Sequence, residues 1–416
     1  MRIIYIHRTQ GDGVEGVHIR EIIRALIADG HRVGVLAPGG WVVDGGAAIP
    51  AARGEETPNS RSRYARVLAW MSRRLPEVAF ELAELVYNVV AMARLGMRAN
   101  GRPVDMVFER YAIFSVVGLV FARLRGCPLV LEVNYTSKSP LVRRRSRWLK
   151  PLAAGLDRLL FRRAEGLVAV STTLRDELVR EYGVEPSRVI VLPNAADPGR
   201  FAPTGPATVR MHGWDISRHR VIGFVGGFYP WHGLPLLIAA FQRIAERFND
   251  VMLVLVGDGP ERVKIQRLID EKELSRRVLL PGRVDHAELP DVIRAFHVGV
   301  MPDSNDYGSP MKIFEYMAAA KPVVVPDRAP LLDVVTDGVE GRVFRAGDAC
   351  SLATALVGIL ENPECHRTMG EAGRSRICQD NNWQANARAI LALAEKTAVS
   401  SPTLGTSANP RRTETR

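Results

Sequence analysis

The chain has 416 residues, which is too long for one ordinary hydrophobic core and predicts two domains of similar size. Hydrophobic residues make up 47% and charged residues 24% of the sequence, as is typical of soluble globular proteins. The net charge of +11 shows an excess of basic residues, but no nucleic-acid-binding motif accompanies it, and we expect no nucleic-acid partner.

Cysteine content and apolar runs bound the compartment and the relation to membranes. The four cysteines are Cys127, Cys350, Cys365 and Cys378. They lie far apart and form no Cys-x-x-Cys pair, which signals neither a disulfide framework nor a zinc site. The apolar run at residues 3–7 is too short for a signal peptide, and the run at residues 112–122 is too short to span a bilayer. We therefore expect a protein of the reducing cytoplasm without a membrane-spanning segment.

Basic residues are concentrated in two clusters in the first half of the chain. One runs from Arg143 to Lys150 without an acidic residue, and the other runs from Arg61 to Arg74 and brackets Trp70. Basic stretches with interleaved Trp and Leu suit an anionic lipid surface. A solvated basic face fits the same pattern. On the first interpretation the protein lies peripherally on the inner face of the membrane.

Along the whole chain, β-branched runs alternate with helix patterns. The strands predicted in the first half lie at residues 3–7, 32–36, 104–109, 129–133, 166–170 and 188–192. Those predicted in the second half lie at residues 221–225, 251–256, 278–280, 298–302 and 323–326. This alternation predicts an α/β fold in which crossover helices connect the strands of parallel sheets.

The alternation is interrupted between residue 193 and about residue 220, where Pro, Gly, Asn and His accumulate. This interruption separates two successive doubly wound domains. Ligands of such sheets bind outside the carboxyl ends of the strands. We therefore expect the functional residues in strand-to-helix turns that face a cleft between the two domains.

The stretch NDYGSPMKIFEYM at residues 305–317 combines several features of an anion site. Ser309 is a good N-cap and Pro310 suits the first helical position, so the helix is predicted to begin there. Its free N–H groups and Gly308 offer close backbone contacts to an anion. Lys312 adds a positive charge in the first turn, where the helix dipole disfavours it, and Glu315 follows on the same face. The alternative is that Lys312 and Glu315 form a surface pair.

From residue 221 to about residue 386 the chain resembles the retaining nucleotide-sugar glycosyltransferases of family 4, which have the two-domain GT-B fold. The motifs that carry the resemblance are FVGGFYPWHGLPLLIAAF, LVLVGDGPE, VLLPGRVDHAELPDVIRAFHVGVMP, SPMKIFEYMAAAKPVVVPD and VVTDGVEGRVF. The N-terminal half matches more weakly, through GVHIREIIRALIADGHRVGVLAP and VLPNAADPGRFAP. Near the end, GRSRICQDNNWQANARAIL resembles the family's closing segment, in which a Trp precedes a helix that returns to the N-terminal domain.

The resemblance implies two Rossmann-like domains, each a doubly wound parallel sheet, that face each other across a cleft. Residues 1–195 are expected to form the acceptor-side domain, and residues 196–383 the donor domain. Residues 384–398 are expected to form the returning helix. The Ser, Thr and Pro-rich residues 399–416 predict a disordered tail.

The family's motifs also place the ligands. Glu315 is expected to hold the ribose hydroxyls of a nucleotide-sugar donor, and Lys312 and Glu315 are the catalytic candidates. The expected donor site comprises Gly226, Gly227, His232, Gly233, Asp306, Gly308, Ser309, Pro310, Met311, Lys312 and Glu315. The acceptor-side candidates are Gly13, His18, Glu109 and Asn134, the last of which stands where the family has a His. No metal ion or other cofactor is expected, since the donor loops contain no clear Asp-x-Asp cluster.

The donor site departs from the family pattern at three positions. The first Glu of the family's Glu-x7-Glu pair falls at Tyr307, and Asp306 replaces it only if the turn shifts. The Arg and Lys that clamp the diphosphate fall at Gly227 and His232. Lys312 is placed to restore part of the lost positive charge. We therefore interpret the chain as a member of a subgroup with a relocated diphosphate clamp.

The resemblance implies a retaining glycosyltransferase that moves a sugar from a nucleotide-sugar donor to an acceptor hydroxyl. The acceptor is expected to be a lipid-linked glycan, a polysaccharide or a glycolipid of the cell envelope, because the basic segments suit a membrane surface. One alternative is a GT-B protein that has lost transfer activity and binds a sugar nucleotide or a partner. Another is a two-domain nicotinamide oxidoreductase, which only the paired open sheets favour.

Overall fold

The computed structural model describes residues 1–9, 13–38, 40–42, 76–99, 101–140, 146–211 and 213–400. The basic cluster from Arg61 to Arg74, the arginines at 143–145 and residues 401–416 of the predicted tail lie outside the described residues. The described part contains two doubly wound sheets joined by crossover helices, which confirms the predicted α/β alternation.

The first sheet has seven strands: β1 (Arg2–Ile6), β2 (Arg32–Ala37), β3 (Gly40–Val42), β4 (Met106–Arg110), β5 (Leu129–Val133), β6 (Gly166–Ala169) and β7 (Val189–Val191). Their order is β3-β2-β1-β4-β5-β6-β7, and all pair in parallel except β3, which runs antiparallel to β2 at the edge. The strands are apolar on both faces because helices cover both. In β1, Ile4 and Ile6 contact one helix layer, and Ile3 and Tyr5 contact the other.

The helices of this domain form two layers. α1 (Gly13–Ala28) packs on the face that carries Ile3 and Tyr5. The opposite layer consists of α2 (Glu77–Arg98), α3 (Val117–Arg125), α4 (Lys150–Arg163) and α5 (Thr172–Tyr182). The sheet therefore lies between them, and its carboxyl edge is left free for loops.

The second sheet has six strands: β10 (Arg220–Val225), β11 (Val251–Val256), β12 (Val278–Gly282), β13 (Val298–Val300), β14 (Val323–Pro326) and β15 (Gly341–Phe344). A small antiparallel ribbon of β8 (Arg210–Met211) and β9 (Trp214–Asp215) precedes it. The six strands are parallel, in the order β12-β11-β10-β13-β14-β15. Because the winding direction reverses between β10 and β13, the loops after these strands open a crevice at the carboxyl edge.

The helices of the second half are α6 (Leu234–Arg247), α7 (Arg262–Glu271), α8 (Leu289–Arg294), α9 (Met311–Ala318), α10 (Ala329–Leu332), α11 (Ala349–Leu360), α12 (Pro363–Gln379) and α13 (Trp383–Ser400). The last of them, α13, leaves this domain and packs beside α1 on the first sheet through Trp383, Ile390 and Leu393. It therefore ties the two domains together. Among the described residues, no helix combines the length and apolarity that crossing a membrane requires.

Helix α9 contacts the second sheet at a glycine. The backbone N–H of Val225 donates a hydrogen bond to the hydroxyl of Tyr316, at 2.7 Å. The ring of Tyr316 packs against Gly299 of β13, where a Cβ atom would come within 2.2 Å of a ring carbon. Interiors are close-packed, so a side chain at position 299 would displace the helix from the strand ends.

We expect Gly299→Ala to lower the free energy of unfolding by about 1 to 3 kcal/mol, because the new methyl group overlaps the Tyr316 ring. Gly358→Ala is the matched control, since Gly358 is an exposed residue of α11 with no atom within 4 Å of the Cβ position. There alanine should be neutral or should stabilise by up to about 1 kcal/mol. Urea denaturation of both variants measures the difference, and equal effects would contradict the role of Gly299.

Candidate functional site

The ends of β10 and β13 meet the start of α9 at the crevice of the second sheet. Lys312 lies four residues before Tyr316, so both side chains lie on the same face of the helix. Its Nζ lies 3.4 Å from the Sδ of Met301, just after β13, and 4.4 Å from the centre of the Phe224 ring in β10. The backbone of Gly226 is also adjacent, since a Cβ atom there would come within 2.8 Å of Nζ. Lys312 thus occupies the point where two strand ends and a helix converge.

Lys312 is a buried cation without a counter-ion. Only 9% of the residue is exposed, and among the described residues no carboxylate lies within ion-pair distance of its ammonium. Burial lowers the pKa of Lys312 to about 7, and the negative charge of Glu315 offsets only part of this effect. A buried unpaired charge destabilises a fold. The alternative surface pair of Lys312 and Glu315 does not form, and an anionic ligand would supply the missing partner.

The loop between β10 and α6 contains four of the predicted donor residues, and the backbone of one of them, Gly226, lies beside Lys312. The other three are Gly227, His232 and Gly233. Gly226 has a φ of +149°, a conformation that only glycine adopts readily. His232 is largely buried, and its ring Nδ1 bonds the carbonyl oxygen of Gly227. Burial and the nearby charge of Lys312 lower the pKa of His232 to about 3. His232 is therefore neutral, and it does not replace the family's cation at this position.

Helix α9 begins at Met311, and Pro310 occupies the N-cap position with a ψ of 119°. The prediction that Ser309 caps the helix is therefore wrong. Its hydroxyl instead accepts a hydrogen bond from the backbone N–H of Asn194 at 2.9 Å, and its carbonyl oxygen accepts one from the Asn194 side-chain amide. A residue that follows β7 thus fixes the backbone immediately before the helix.

The backbone donors at this helix start differ from those expected. The N–H of Gly308 donates to the Oδ1 of Asn305 at 2.6 Å and is not free for a ligand. The N–H groups of Met311 and Lys312 belong to the first helical turn, which has no acceptors within the helix for them. They and the Lys312 ammonium are the donors that the helix start offers to an anion. The side chain of Met311 is not part of this group, because it packs into the cluster around Trp383.

Glu315 faces a different loop from Lys312. Only 5% of it is exposed, and its Oε1 lies 3.1 Å from the Nε2 of His286 in the loop between β12 and α8. Lys312, by contrast, lies against the end of β10. The two charged residues of α9 therefore suit an elongated ligand that carries hydroxyl groups at one end and an anionic part further along.

Asp306 does not take the place of the missing first Glu. Its side chain is 78% exposed, and its carboxylate pairs with Arg328 at 3.1 Å. Tyr307 stands at the position of that Glu and contacts the N-terminal domain instead. Its hydroxyl donates to the carbonyl oxygen of Pro140 at 2.9 Å, and its own carbonyl oxygen accepts from the hydroxyl of Ser171 at 2.9 Å. The turn before α9 is thus held by the opposite domain.

Glu132 of β5 forms the centre of a buried charged cluster in the N-terminal domain. It accepts hydrogen bonds from His18 Nε2 at 2.9 Å and from Asn134 Nδ2 at 2.8 Å, and it pairs with Arg110. Burial alone would raise the pKa of Glu132, but the charges of Arg110 and His18 hold it well below its usual range. Two of the acceptor-side candidates, His18 and Asn134, therefore meet around a permanently charged carboxylate.

His18 connects this cluster to the second domain. Its Nδ1 lies 2.7 Å from the Oδ1 of Asn194, the residue that holds Ser309. The ring also packs edge-on against Trp383, with 5.0 Å between the ring centres. A row of hydrogen bonds thus runs from Glu132 through His18 and Asn194 to Ser309, across the boundary between the domains.

The other two acceptor-side candidates lie apart from this row. The carboxylate of Glu109 is buried at the start of α3, where it accepts from the hydroxyl of Ser115 at 2.6 Å and from the N–H of Gly118 at 3.1 Å. Burial raises its pKa to about 7. Glu109 therefore caps α3, and this arrangement does not support its predicted contact with an acceptor. Gly13 begins α1 at a φ of +69° and is exposed.

Several site residues were missed by the sequence analysis. Asn194 and His286 lie in loops, and their partners become neighbours only in the folded chain. Phe224 and Met301 read as ordinary core residues. Glu132 did carry a signal, because it is an acidic residue inside the apolar strand LVLEV and a buried charge requires a partner.

Two family models match the chain. Glycosyltransferase Family 4 matches residues 13–200, which include His18, Glu132 and Asn194. Glycosyl transferases group 1 matches residues 215–376, which include Lys312 and Glu315. The two models therefore cover the second sheet and all of the first sheet except β1, and each model includes residues from one side of the site.

Curated relatives share part of the sequence with this chain. A 2-deoxystreptamine glucosyltransferase from Streptomyces kanamyceticus is 28% identical over 275 residues, which are 64% of this chain and 70% of that protein. A phosphatidyl-myo-inositol mannosyltransferase from Mycolicibacterium smegmatis is 25% identical over 359 residues, which are 83% of this chain and 81% of that protein.

Solved structures share the fold over nearly the whole chain. Sucrose-phosphate synthase from Thermosynechococcus elongatus has a TM-score of 0.71 at 19% identity, and the match covers 96% of this chain and 100% of that one. Anabaena HepE in complex with UDP-glucose has a TM-score of 0.66 at 17% identity, with coverage of 96% and 99%. The chain therefore consists of a Glycosyltransferase Family 4 domain followed by a Glycosyl transferases group 1 domain, and it has the GT-B fold.

Proposed function

We propose that this protein transfers a sugar from a nucleotide-sugar donor to an acceptor hydroxyl with retention of the anomeric configuration. The observation that carries the proposal is the buried ammonium of Lys312 at the crevice of the second sheet, for which the described residues provide no counter-ion. The diphosphate of a sugar nucleotide is an anion of the right kind for this position. The first-turn N–H groups of α9 add further donors to it.

The donor would lie along α9, with its ribose hydroxyls at Glu315 and its diphosphate between Lys312 and Gly226. When the bond between the anomeric carbon and the diphosphate oxygen breaks, negative charge grows on the leaving diphosphate. The Lys312 ammonium and the fixed N–H groups stabilise that charge, because they are held in place in a site that excludes most water. An oxygen of the leaving diphosphate takes the proton of the acceptor hydroxyl.

The acceptor hydroxyl would approach from the N-terminal domain, on the side of His18 and Asn134. We propose that the acceptor is a lipid-linked glycan, a polysaccharide or a glycolipid. The basic clusters of the sequence support this, and so does the phosphatidyl-myo-inositol mannosyltransferase among the relatives. In this proposal the protein acts while bound peripherally to the inner face of a membrane.

Two further features can be tested directly: which nucleotide base the donor carries, and whether transfer needs a metal ion. Uridine nucleotides come first, because Anabaena HepE is a structural neighbour solved with UDP-glucose. Among the described residues, no group of three or more His, Cys, Asp or Glu side chains is placed to hold a metal ion. We propose that transfer needs no metal ion, and activity in the presence of EDTA tests this point.

A second candidate function is donor binding without transfer. The neutral state of His232 and the glycine at position 227 favour it, because two positions that are cationic in the family carry no positive charge here. A donor that binds but stays intact during long incubation with acceptors would support this candidate. The nicotinamide oxidoreductase alternative is dropped, because both halves of the chain match glycosyltransferase models.

We expect wild-type protein to be stabilised by one of UDP, GDP, ADP or dTDP, by about 2.7 kcal/mol at 100 times the dissociation constant. Lys312→Met should abolish this stabilisation, because the diphosphate loses its charged partner. Thermal melting with each nucleotide measures both effects. If no nucleotide stabilises the wild type, the proposed donor site is contradicted. If the variant responds as the wild type does, the role of Lys312 is contradicted.

Without a ligand, Lys312→Met should be more stable than the wild type by about 1 to 3 kcal/mol, because a buried unpaired charge is replaced by an apolar side chain. The gain should be largest below about pH 7, where the wild-type lysine is charged in both the folded and the unfolded chain, and it should shrink as the folded lysine loses its proton. Lys272→Met is the control, since Lys272 is only partly buried and its ammonium donates to the Oε1 of Gln242 at 2.6 Å. Urea denaturation should show no gain for Lys272→Met, and its response to nucleotides should stay intact.

Donor affinity should depend on pH through Lys312. A bound diphosphate raises the pKa of Lys312 above its ligand-free value of about 7, so binding takes up a proton when the pH exceeds that value. The affinity should therefore be constant below about pH 7 and fall by up to about tenfold for each pH unit above it. Calorimetric titration with the intact sugar nucleotide measures this profile without interference from a titrating terminal phosphate. Lys312→Arg should flatten the profile, and an unchanged profile would contradict the assignment.

Glu315→Gln should weaken donor binding by about tenfold to a hundredfold, because hydrogen bonds from hydroxyl groups to a carboxylate are stronger than those to an amide. Glu340→Gln is the control, since Glu340 is equally buried but pairs with Arg376 at 2.9 Å. It should lower stability and leave donor affinity unchanged. The affinity of both variants for the sugar nucleotide is the quantity to measure. An equal loss of affinity in the two would show that Glu315 is not part of the donor site.

A further inference from the structure

Large apolar side chains are exposed mainly on one side of the N-terminal domain. Among the described residues, ten of the sixteen exposed large hydrophobic side chains lie on α2, on α3, on α4 or directly before α4. These ten are Val78, Leu82, Val86, Val89, Met97, Val120, Leu124, Trp148, Leu152 and Leu159. We call residues 77–98, 117–125 and 146–163 the outer layer.

Helix α2 is apolar on two opposite sides. One side packs on the sheet through Tyr87, Ala91 and Leu95. From Val78 to Val89 the exposed apolar residues of α2 recur every three or four positions, and Met97 follows two turns later. Val89 and Met97 are 71% and 72% exposed. They therefore form a stripe along the side that faces away from the sheet. A helix on the surface of a soluble domain normally carries polar residues there.

The exposed charges of the outer layer are almost all positive. Its exposed cations are Arg98, Arg123, Arg147, Lys150, Arg158, Arg162 and Arg163, whereas Glu77 is its one exposed acid within the described ranges. The other acids point inward. Asp157 is fully buried and accepts from the N–H of Ser137, and Glu81 accepts from the N–H of Ser146. Trp148, at 87% exposure, lies among these cations.

We propose that the outer layer docks on an anionic lipid surface. The stripe of α2 and Trp148 enter the headgroup region, and the arginine and lysine side chains contact the lipid phosphates. A second copy of the chain is the other obvious occupant, but it would bring the same seven cations to the contact, and like charges repel. This inference deepens the proposed function, because it rests on an acceptor that resides in a membrane.

In the sequence, the outer layer begins shortly after a residue that contacts the turn at the crevice. The hydroxyl of Tyr307, in the turn before α9, donates to the carbonyl oxygen of Pro140. The chain then continues to Ser146, which bonds Glu81 of α2. The segment that contacts the donor-site turn therefore leads directly into the docking surface. In this proposal the short span from Pro140 to Ser146 keeps an acceptor whose lipid is anchored in the membrane within reach of the donor sugar.

Cosedimentation of the full chain with vesicles tests the proposal. We expect binding to phosphatidylcholine vesicles that contain about one third phosphatidylglycerol at low salt, little binding to pure phosphatidylcholine, and loss of binding at high salt. Two variants probe the surface: Leu82→Ser with Val89→Ser on the apolar stripe, and Arg147→Glu with Arg158→Glu on the basic part. Each should lower the bound fraction at least tenfold.

The matched controls are Val263→Ser and Arg210→Glu, which change exposed residues of the donor domain and should bind as the wild type does. A wild type that stays in the supernatant overturns the proposal, and so do outer-layer variants that still bind fully. Light scattering without vesicles should show a monomer. A dimer that Leu82→Ser with Val89→Ser dissociates would make this surface a self-interface and would also overturn it.

Nucleotide-dependent melting of the same variants separates the two proposals. Outer-layer variants that keep the nucleotide response are folded, so that their loss of vesicle binding supports the docking surface. If no nucleotide stabilises the wild type while vesicle binding follows the expected pattern, the donor-site proposal fails and the docking surface stands.

Discussion

The ammonium group of Lys312 lies between Phe224, Met301 and Gly226, and no carboxylate of the described residues lies beside it. The proposed donor site is organised around this unpaired charge. In the ligand-free protein the arrangement opposes folding, as the pKa of Lys312 near 7 shows. Such strain persists in a folded protein because the surrounding structure enforces it. A bound ligand can then relieve it. Here the contacts of Tyr316 with Val225 and Gly299, one turn later, fix the helix and with it the backbone position of Lys312. In the proposed donor site, a diphosphate clamp built in this way would need neither of the two cations that the loop after β10 lacks.

The position of that lysine depends on both domains. The residues just before α9 are held from the N-terminal side, through Asn194 on Ser309 and through Ser171 on Tyr307. Asn194 in turn contacts His18, which bonds the charged Glu132. The anion site and the acceptor-side cluster are therefore connected by direct hydrogen bonds. A change in how the domains meet would move the helix start, and donor binding and acceptor binding would then be coupled.

The α/β alternation could be predicted from the sequence, because alternating apolar runs and helix patterns are local properties of the chain. The edge strands β3 and β15 and the ribbon of β8 and β9 were not predicted. The choice of Lys312 and Glu315 also came from local signals: a cation in a first helical turn and a family motif. What failed depended on tertiary contacts. Ser309 has the chemistry of an N-cap, but Asn194 competes for its hydroxyl. Glu109 ends a strand at the correct edge, yet it is buried against α3, and no sequence pattern shows the direction of a side chain at a strand end.

The most direct test of the central claim is an NMR titration of the Lys312 side chain, followed with and without a bound nucleoside diphosphate and assigned with the Lys312→Arg variant. The account predicts a midpoint near pH 7 in the free protein and a clear upward shift in the complex, because the diphosphate becomes the missing counter-ion. A midpoint that the bound nucleotide leaves unchanged would show that the diphosphate lies elsewhere, and the relocated clamp would have to be abandoned.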